Sequence, residues 1–203
     1  SIPHKAELCN YHSKLAIRTS GPGLGTLRLS LGYGSFAEKP QGQLALLKDN
    51  GEIVHATRTK CEWRPWQISS EFKFPQGTVI SQRAWVEAPF AHSSVTIHGD
   101  LSGAKLVVEG STTRMGKAFV SPMRTVMVEE MDPALKPCVL EIACSIVPDQ
   151  VLLSSDGSEW VEKDFIWGEK PVAYRMVYDR PPHEMIVSAG LGLTSEFLPA
   201  EEW

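Results

Sequence analysis

The sequence predicts an all-β protein, an antiparallel β-sandwich of the supersandwich type built from about 12 short strands with little helix. Apolar and polar residues alternate along short segments; in Thr78–Glu87, for example, Ile80 and Ala84 share one side. Turn-forming residues recur every ~8 to 12 positions. No segment has an apolar stripe of helical period over three turns. The same pattern also builds a lipocalin-like or cupin-like barrel, which is the alternative architecture.

The first third of the chain is predicted to form strands joined by tight turns. The Asn50–Gly51 pair lies between the apolar segments Leu44–Lys48 and Ile53–Thr57. This pair favours a hairpin because glycine accepts positive φ at low cost. Alternation alone predicts three further strands: Leu15–Arg18, Thr26–Leu31 and Ile68–Phe74.

The centre of the chain is expected to be an antiparallel meander. Pro89 cannot donate to a strand ladder, so one strand ends before it. In the next strand Val95 and Ile97 face the core, and Asp100–Gly103 supplies a turn. The three strands of this meander are Thr78–Glu87, Ser93–Ile97 and one that starts at Leu106–Val108.

The last third of the chain continues the strand pattern. Asp156 and Gly157 follow Val151–Ser155 and indicate a second hairpin. The stretch SSDGSEW, Ser154–Trp160, resembles the Asp-box turn of sialidase-type hairpins. In those hairpins the motif stabilises a turn, so Asp156 is predicted to be structural. The other strands predicted after the meander are Thr125–Glu130, Val139–Val147, Ala173–Tyr178 and Glu184–Ala189.

The composition of the 203 residues bounds the possible functions. With 42% hydrophobic residues, the chain can bury one large core; we expect residues 1–198 to form a single domain and 199–203 a polar tail or linker remnant. The 20 Lys and Arg against 24 Asp and Glu give a formal charge of -4 without a basic footprint, which argues against nucleic acid as a partner. No apolar run approaches the ~20 residues that cross a bilayer, so no membrane partner is expected. The first residues lack the apolar core of a signal peptide, which favours a cytoplasmic chain. The alternative is a secreted chain whose signal peptide has been removed. The sequence leaves the oligomeric state open.

Cysteine and histidine spacing gives no reason to expect a metal or a cofactor. Cys138 and Cys144 lie in one predicted strand roughly 20 Å apart and cannot bridge each other. We expect buried free thiols; a bridge from Cys9 or Cys61 to one of these two is the alternative. The six histidines have neither H-x-H nor H-x-x-x-H spacing, so no metal ligand is assigned.

The sequence assigns no catalytic residue. Hydrolysis of a glycosidic bond needs two carboxylates a few ångströms apart, one of them protonated. The carboxylates of this chain are more typical of solvated turns and strand edges. There is no G-x-S-x-G motif, and thiols in apolar strands stay protonated. The candidate carboxylates are Glu71, Glu87, Asp100, Glu129 and Glu130.

The most site-like group is the segment CEWRPW, with Trp63, Arg64 and Trp66. Aromatic faces stack on sugar rings and a neighbouring arginine can donate to hydroxyls, so W-R-x-W in a β domain suits a carbohydrate ligand. Trp85 is a candidate extension of this platform. The structural alternative is that these tryptophans close the end of the sandwich or pack against another domain.

The segments QGTVISQRAWVEAP and SVTIHGDLSGAKLVVEG, within the region Trp63–Gly110, resemble the N-terminal β-sandwich domain of six-hairpin glycosidases. In that family the sandwich precedes an (α/α)6 barrel that holds the catalytic carboxylates. The resemblance therefore implies a domain that supports the barrel or shapes the rim of its cleft. It assigns no catalytic role to any residue of this chain.

Three functional hypotheses follow. The first is a non-catalytic module of a carbohydrate-active enzyme, whose partners are a catalytic domain and carbohydrate; it predicts an exposed apolar patch. The second is a stand-alone barrel enzyme or small-ligand carrier with one deep cavity. The third is a structural or oligomer-forming sandwich without a ligand. The pocket of the second hypothesis would be lined by Trp85, His98, Tyr174 and Tyr178.

Overall fold

A computed structural model describes residues 6–10, 15–29, 39–87, 90–101, 103–130 and 138–193. Among these residues there are fifteen strands and no helix, and hence no helix that could cross a membrane. The strands are β1 (Ala6–Asn10), β2 (Leu15–Thr19), β3 (Gly23–Leu29), β4 (Gln41–Leu47), β5 (Ile53–Val54), β6 (Thr57–Arg64), β7 (Gln67–Lys73), β8 (Val79–Glu87), β9 (Phe90–His98), β10 (Lys105–Val120), β11 (Val126–Glu130), β12 (Cys138–Cys144), β13 (Gln150–Ser154), β14 (Phe165–Tyr178) and β15 (Glu184–Leu193).

The strands form a curled antiparallel sheet that folds back on itself as a sandwich. Its hydrogen-bonded order is β1-β2-β3-β4-β10-β11-β12-β15-β9-β8-β7-β6, with β5 beside β4, β14 beside β10 and β13 beside β14. Strands near one end of this order contact strands near the other end without pairing with them: β1 contacts β7 and β8, and β3 contacts β9 and β15. The two ends of the order therefore face each other across the core. We call β11, β12, β15, β9, β8, β7 and β6 the larger layer. We call β3, β4 and β13, with the strands that pair with them, the smaller layer. The predicted antiparallel β-sandwich is confirmed.

Two long strands, β10 and β14, join the layers. The first part of β10 pairs with β4 and the second part with β11, while β14 follows β10 over both parts. The register between β10 and β14 shifts between Ser111 and Gly116, which marks an irregularity of the β-bulge type. Such a bulge bends the strands, so both can leave one layer and enter the other.

The space between the layers holds one large apolar core. The alternation of the sequence produces it directly: Ile80, Ala84, Val95 and Ile97 are buried as predicted, and Ser81 and Arg83 face outwards. The largest fully buried side chains are Tyr174, Tyr178, Phe72, Phe74, Ile17, Leu24, Leu27, Leu44, Leu46, Ile68 and Ile80.

One buried polar side chain fixes how the layers face each other. Gln82 of β8 accepts a 2.7 Å hydrogen bond from the Gly23 amide and donates a 3.0 Å bond to the Gly23 carbonyl on β3. Gly23 has a φ of 129°, and a Cβ there would lie 2.1 Å from the carbonyl oxygen of Gly42. Only glycine therefore fits the position that receives the amide of Gln82.

The hairpin predicted at Asn50–Gly51 is confirmed. The Gly51 amide donates to the Lys48 carbonyl at 2.9 Å, and Gly51 has a φ of 85°. The Asn50 side chain accepts from the Glu52 amide at 3.0 Å, an Asx-type contact that closes the loop.

The predicted meander is wrong in its third strand. β8 and β9 pair as expected, but β9 has β15 as its other neighbour, and β10 pairs with β4, β11 and β14. The turn near Gly103 sends the chain to the other layer instead of the adjacent position. The strand predicted at Val139–Val147 ends at Cys144, and Ile146 and Val147 are exposed. The predicted tail, 199–203, lies outside the described residues.

The contact between Gln82 and Gly23 yields a stability prediction. Replacing Gln82 with Ala leaves a buried amide and a buried carbonyl without their partner, so we expect Gln82→Ala to lower the free energy of unfolding by about 2–4 kcal/mol. The control is Ser81→Ala on the outer face of the same strand, for which we expect a change within about 0.5 kcal/mol. Urea denaturation measures both. Equal effects of the two substitutions would contradict the role given to Gln82.

Candidate functional site

The predicted tryptophan platform lies at the tip of the hairpin formed by β6 and β7. Arg64 pairs with Gln67, so Pro65 and Trp66 are the two central residues of the turn. Proline sets φ for the first turn position, and the turn projects the next side chain into solvent. Trp66 is accordingly 68% exposed.

Trp63 and Arg64 point to opposite faces of this hairpin. Trp63 lies opposite the fully buried Ile68 and therefore on the core side, but it is 55% exposed because β6 is the last strand of the described order. Arg64 forms an ion pair with Glu62 and donates to the Trp63 carbonyl at 3.2 Å. The tip thus presents two large exposed indoles, and the Arg64 guanidinium lies on the face opposite to Trp63.

Trp85 lies on the face of β8 opposite to the core. Its neighbour Ala84 is buried in the core, and Trp85 pairs with His92 of β9, whose ring centroid is 5.2 Å away. His92 also contacts Glu87 at 3.2 Å and the Ser188 hydroxyl at 2.7 Å. Burial lowers the pKa of His92, and Glu87 partly opposes this. The register therefore separates Trp85 from Trp63 by the thickness of the sheet, and the two do not form one surface.

Two of the candidate carboxylates, Glu71 and Glu87, do not come together as a catalytic pair. Glu71 forms a 2.9 Å ion pair with Lys60 and lies opposite Ser81. Glu87 is six residues further along β8, roughly 20 Å away along the strand. That distance exceeds the ~5 to 9.5 Å between the two carboxyl groups of glycosidases.

The residues named for a barrel pocket do not share a cavity. Tyr174 and Tyr178 are buried in the core, whereas His98 is exposed and bonded to the Ser81 hydroxyl at 3.1 Å. Trp85 is on the outer face with His98. Among the described residues, no group of three or more His, Cys, Asp or Glu could hold a metal.

Cys61 and Cys144 are free thiols, as predicted. Burial raises the pKa of Cys144 to about 12, although its contact with Tyr178 acts in the other direction. The Cys144 thiol is therefore protonated at neutral pH and has no nucleophilic character. The side chains of Cys9 and Cys138 lie outside the described residues.

Asp156 is held in a turn, as predicted. Its carboxylate accepts from the amides of Ser158 at 2.9 Å and Glu159 at 3.0 Å, and from the Ser154 hydroxyl at 3.2 Å. These bonds hold the pKa of Asp156 well below its usual range. The turn therefore fixes the backbone conformation of the residues that lead to Trp160.

A second aromatic surface was not predicted. Phe119 of β10 and Phe165 of β14 are paired, with ring centroids 4.8 Å apart, and Trp167 follows on the same face. Phe165 is 47% and Trp167 57% exposed. The signal was present in the alternation of Phe165, Ile166 and Trp167, where two aromatic residues share the parity opposite to the inward Ile166. We call Phe119, Phe165 and Trp167 the aromatic patch.

Comparison with known proteins identifies the fold. No family model matches the chain, and neither does any curated protein. The solved structures that match its fold include an inverting family GH92 mannosidase of Bacteroides thetaiotaomicron, with a TM-score of 0.60 and 10% identity over 87% of this chain and 25% of that chain. They also include a GH92 α-mannosidase from the same organism (TM-score 0.55, 11% identity, 91% of this chain and 26% of that chain) and the GH92 glycosyl hydrolase ccman5 (TM-score 0.53, 10% identity, 93% and 28%). The chain spans about a quarter of the length of these chains. The resemblance to a glycosidase β-sandwich domain is confirmed for the fold.

The Asp156 turn yields a pH prediction. The folded-state pKa of Asp156 lies below that of the unfolded chain, so its carboxylate stabilises the fold above about pH 4, and this contribution is lost as the pH falls. We expect the thermal midpoint of Asp156→Asn to lie below that of the wild type at neutral pH, and the gap to narrow progressively as the pH falls below about 4. The control is Asp49→Asn in the other hairpin. A gap that stays constant with pH would contradict the assignment.

Proposed function

We propose that the chain is a non-catalytic β-sandwich domain of a glycoside hydrolase, supporting a catalytic partner domain. The observation that carries the proposal is the asymmetry of the fold match: 87–93% of this chain corresponds to only 25–28% of each GH92 chain. A fold that recurs as one part of a larger enzyme suits an accessory role.

The arrangement of acidic and nucleophilic groups supports a role without catalysis. Glu71 and Glu87 are too far apart to act together, and each already has a cationic or imidazole partner. Cys144 has a protonated thiol. The domain would therefore depend on its partner for the two carboxylates of glycoside hydrolysis.

The aromatic patch supports docking of that partner. A docking face leaves exposed apolar side chains when its cover is absent, which is the arrangement at Phe165 and Trp167. Nearby, Arg124 donates to the carbonyls of Pro148 and Asp149 at 2.6 and 2.7 Å. These bonds hold the turn that carries the exposed Met123 beside the exposed Ile146 and Val147.

The hairpin tip supports contact with glycan. Trp63 and Trp66 expose indole surface, and the Arg64 guanidinium lies on the face opposite to Trp63, two residues before Trp66. These groups suit the apolar faces and hydroxyls of a sugar. Because the structural neighbours are mannosidases, we propose α-mannosides as the ligand class.

The absence of catalysis is testable on the chain alone. We expect no hydrolysis of p-nitrophenyl α-mannoside by the isolated chain above the buffer rate, because Glu71 and Glu87 are too far apart to act as a catalytic pair. The longer enzyme, with its partner domain attached, is the positive control. Hydrolysis by the isolated chain that disappears in Glu71→Gln or Glu87→Gln would overturn the proposal.

Glycan contact is testable by calorimetric titration with an α-mannotriose. We expect Trp63→Ala and Trp66→Ala each to weaken binding about tenfold, the effect of losing one stacking contact. Trp167→Ala, which removes an equally exposed indole elsewhere, should leave affinity unchanged. Circular dichroism checks that the variants fold. Equal affinity in the wild type and both hairpin variants would remove the hairpin tip as a glycan site.

A further inference from the structure

A second candidate site lies on the outer face of the smaller layer. A cavity of ≈ 530 Å³ opens there, within the ~300 to 1,000 Å³ of small-molecule pockets. It lies between the β2–β3 turn, the start of β4, the segment after β5 and the β10–β14 pair. Its polar and aromatic lining includes Lys39, Gln43, His55, Glu109, Ser111 and Trp160.

The buried carboxylate of this cavity, Glu109, already has a cationic partner. Register places Gln43, Glu109 and Arg175 side by side on β4, β10 and β14. Arg175 Nε lies 3.2 Å from Glu109 Oε2, and both side chains are largely buried. The Arg175 guanidinium also lies 3.9 Å from the centroid of the Trp160 ring. Glu109 therefore gives the cavity a strong acceptor beside an aromatic ring, and Arg175 balances its charge.

Trp160 forms the aromatic side of the cavity, and the turn that precedes Trp160 fixes its backbone before any ligand binds. Asp156 holds the amides of Ser158 and Glu159, and Leu153 and Val161 exchange backbone hydrogen bonds of 2.8 and 2.9 Å. Trp160 is therefore clamped between a closed turn and a bridge. A side chain positioned in this way loses little conformational entropy when a ligand binds.

We propose that this cavity binds a neutral pyranose. The Trp160 indole offers a surface for the apolar face of the ring. Glu109, Gln43, Ser111 and His55 offer acceptors and donors for its hydroxyls. An anionic sugar fits less well, because Arg175 is already paired with Glu109 and the cation Lys39 is exposed, so that water and salt screen its charge. The site is separate from the hairpin tip, which lies at the far end of the larger layer, and does not depend on the partner domain.

The experiment is an NMR titration of the intact chain with methyl α-mannopyranoside, methyl β-glucopyranoside and, as the anionic counterpart, methyl β-glucuronide. We expect saturable shifts of the Trp160 indole N–H with at least one neutral probe and weaker binding of the glucuronide. Trp160→Ala should weaken binding at least about tenfold. Trp167→Ala, the matched control, should bind as the wild type does.

Two further variants keep the test decisive if Trp160→Ala does not fold. Trp160→Phe retains an aromatic ring and should bind between the wild type and the alanine variant. His55→Ala changes an exposed residue of the lining and should weaken binding at least about threefold. The proposal is overturned by the absence of saturable binding up to about 10 mM probe. Unchanged affinity in His55→Ala and Trp160→Phe, a preference for the glucuronide, or loss of binding only in Trp66→Ala would overturn it equally.

Discussion

The bend shared by β10 and β14 is the constraint on which the rest of the structure depends. At this bend, Thr112 is fully buried; its hydroxyl donates to the Arg114 carbonyl at 2.7 Å and accepts from the Val172 amide at 3.0 Å. These bonds satisfy backbone groups that the register shift removes from the ladder. Because both strands turn together, one continuous sheet can cover both sides of a core. The cavity beside Trp160 lies next to this bend.

Polar groups buried near the bend select one register among the alternatives that apolar packing alone would allow. The Tyr174 hydroxyl donates to Gln41 Oε1 at 3.0 Å and accepts from the Gly42 amide at 3.0 Å. Gln41 in turn donates to the Ser111 carbonyl at 2.7 Å. Burial raises the pKa of Tyr174, so the phenol keeps the proton it donates. A register slip of two residues would keep leucine and valine on the core side of the sheet but would break all of these hydrogen bonds.

The sequence predicts structural features that depend on residues close together in the chain. It does not predict features that depend on residues far apart in the chain. Alternation identified the inward side of β8, and local side-chain bonds explain why the Asn50 and Asp156 turns were predicted correctly. The second neighbour of β9 and the neighbours of β10 could not be predicted, because strand pairing across about 90 residues leaves no local trace. The separation of Trp85 from Trp63 depends on a hairpin register that the sequence leaves open. The cavity unites Gln43, Glu109 and Trp160, which are too far apart in the chain for any spacing argument.

The placement of the aromatic side chains supports different roles for the hairpin tip and for the aromatic patch. Exposed strand edges invite pairing with other chains, and β6 carries Lys60, Glu62 and Arg64, charged side chains of the kind that discourage it. Trp63 at the end of the same strand and Trp66 in the following turn are exposed and work against that protection, and the proposed glycan would cover them. The aromatic patch lies instead on β10 and β14, the two long paired strands that join the layers. An apolar surface on paired strands suits the proposed partner domain, and a hairpin tip suits the proposed glycan.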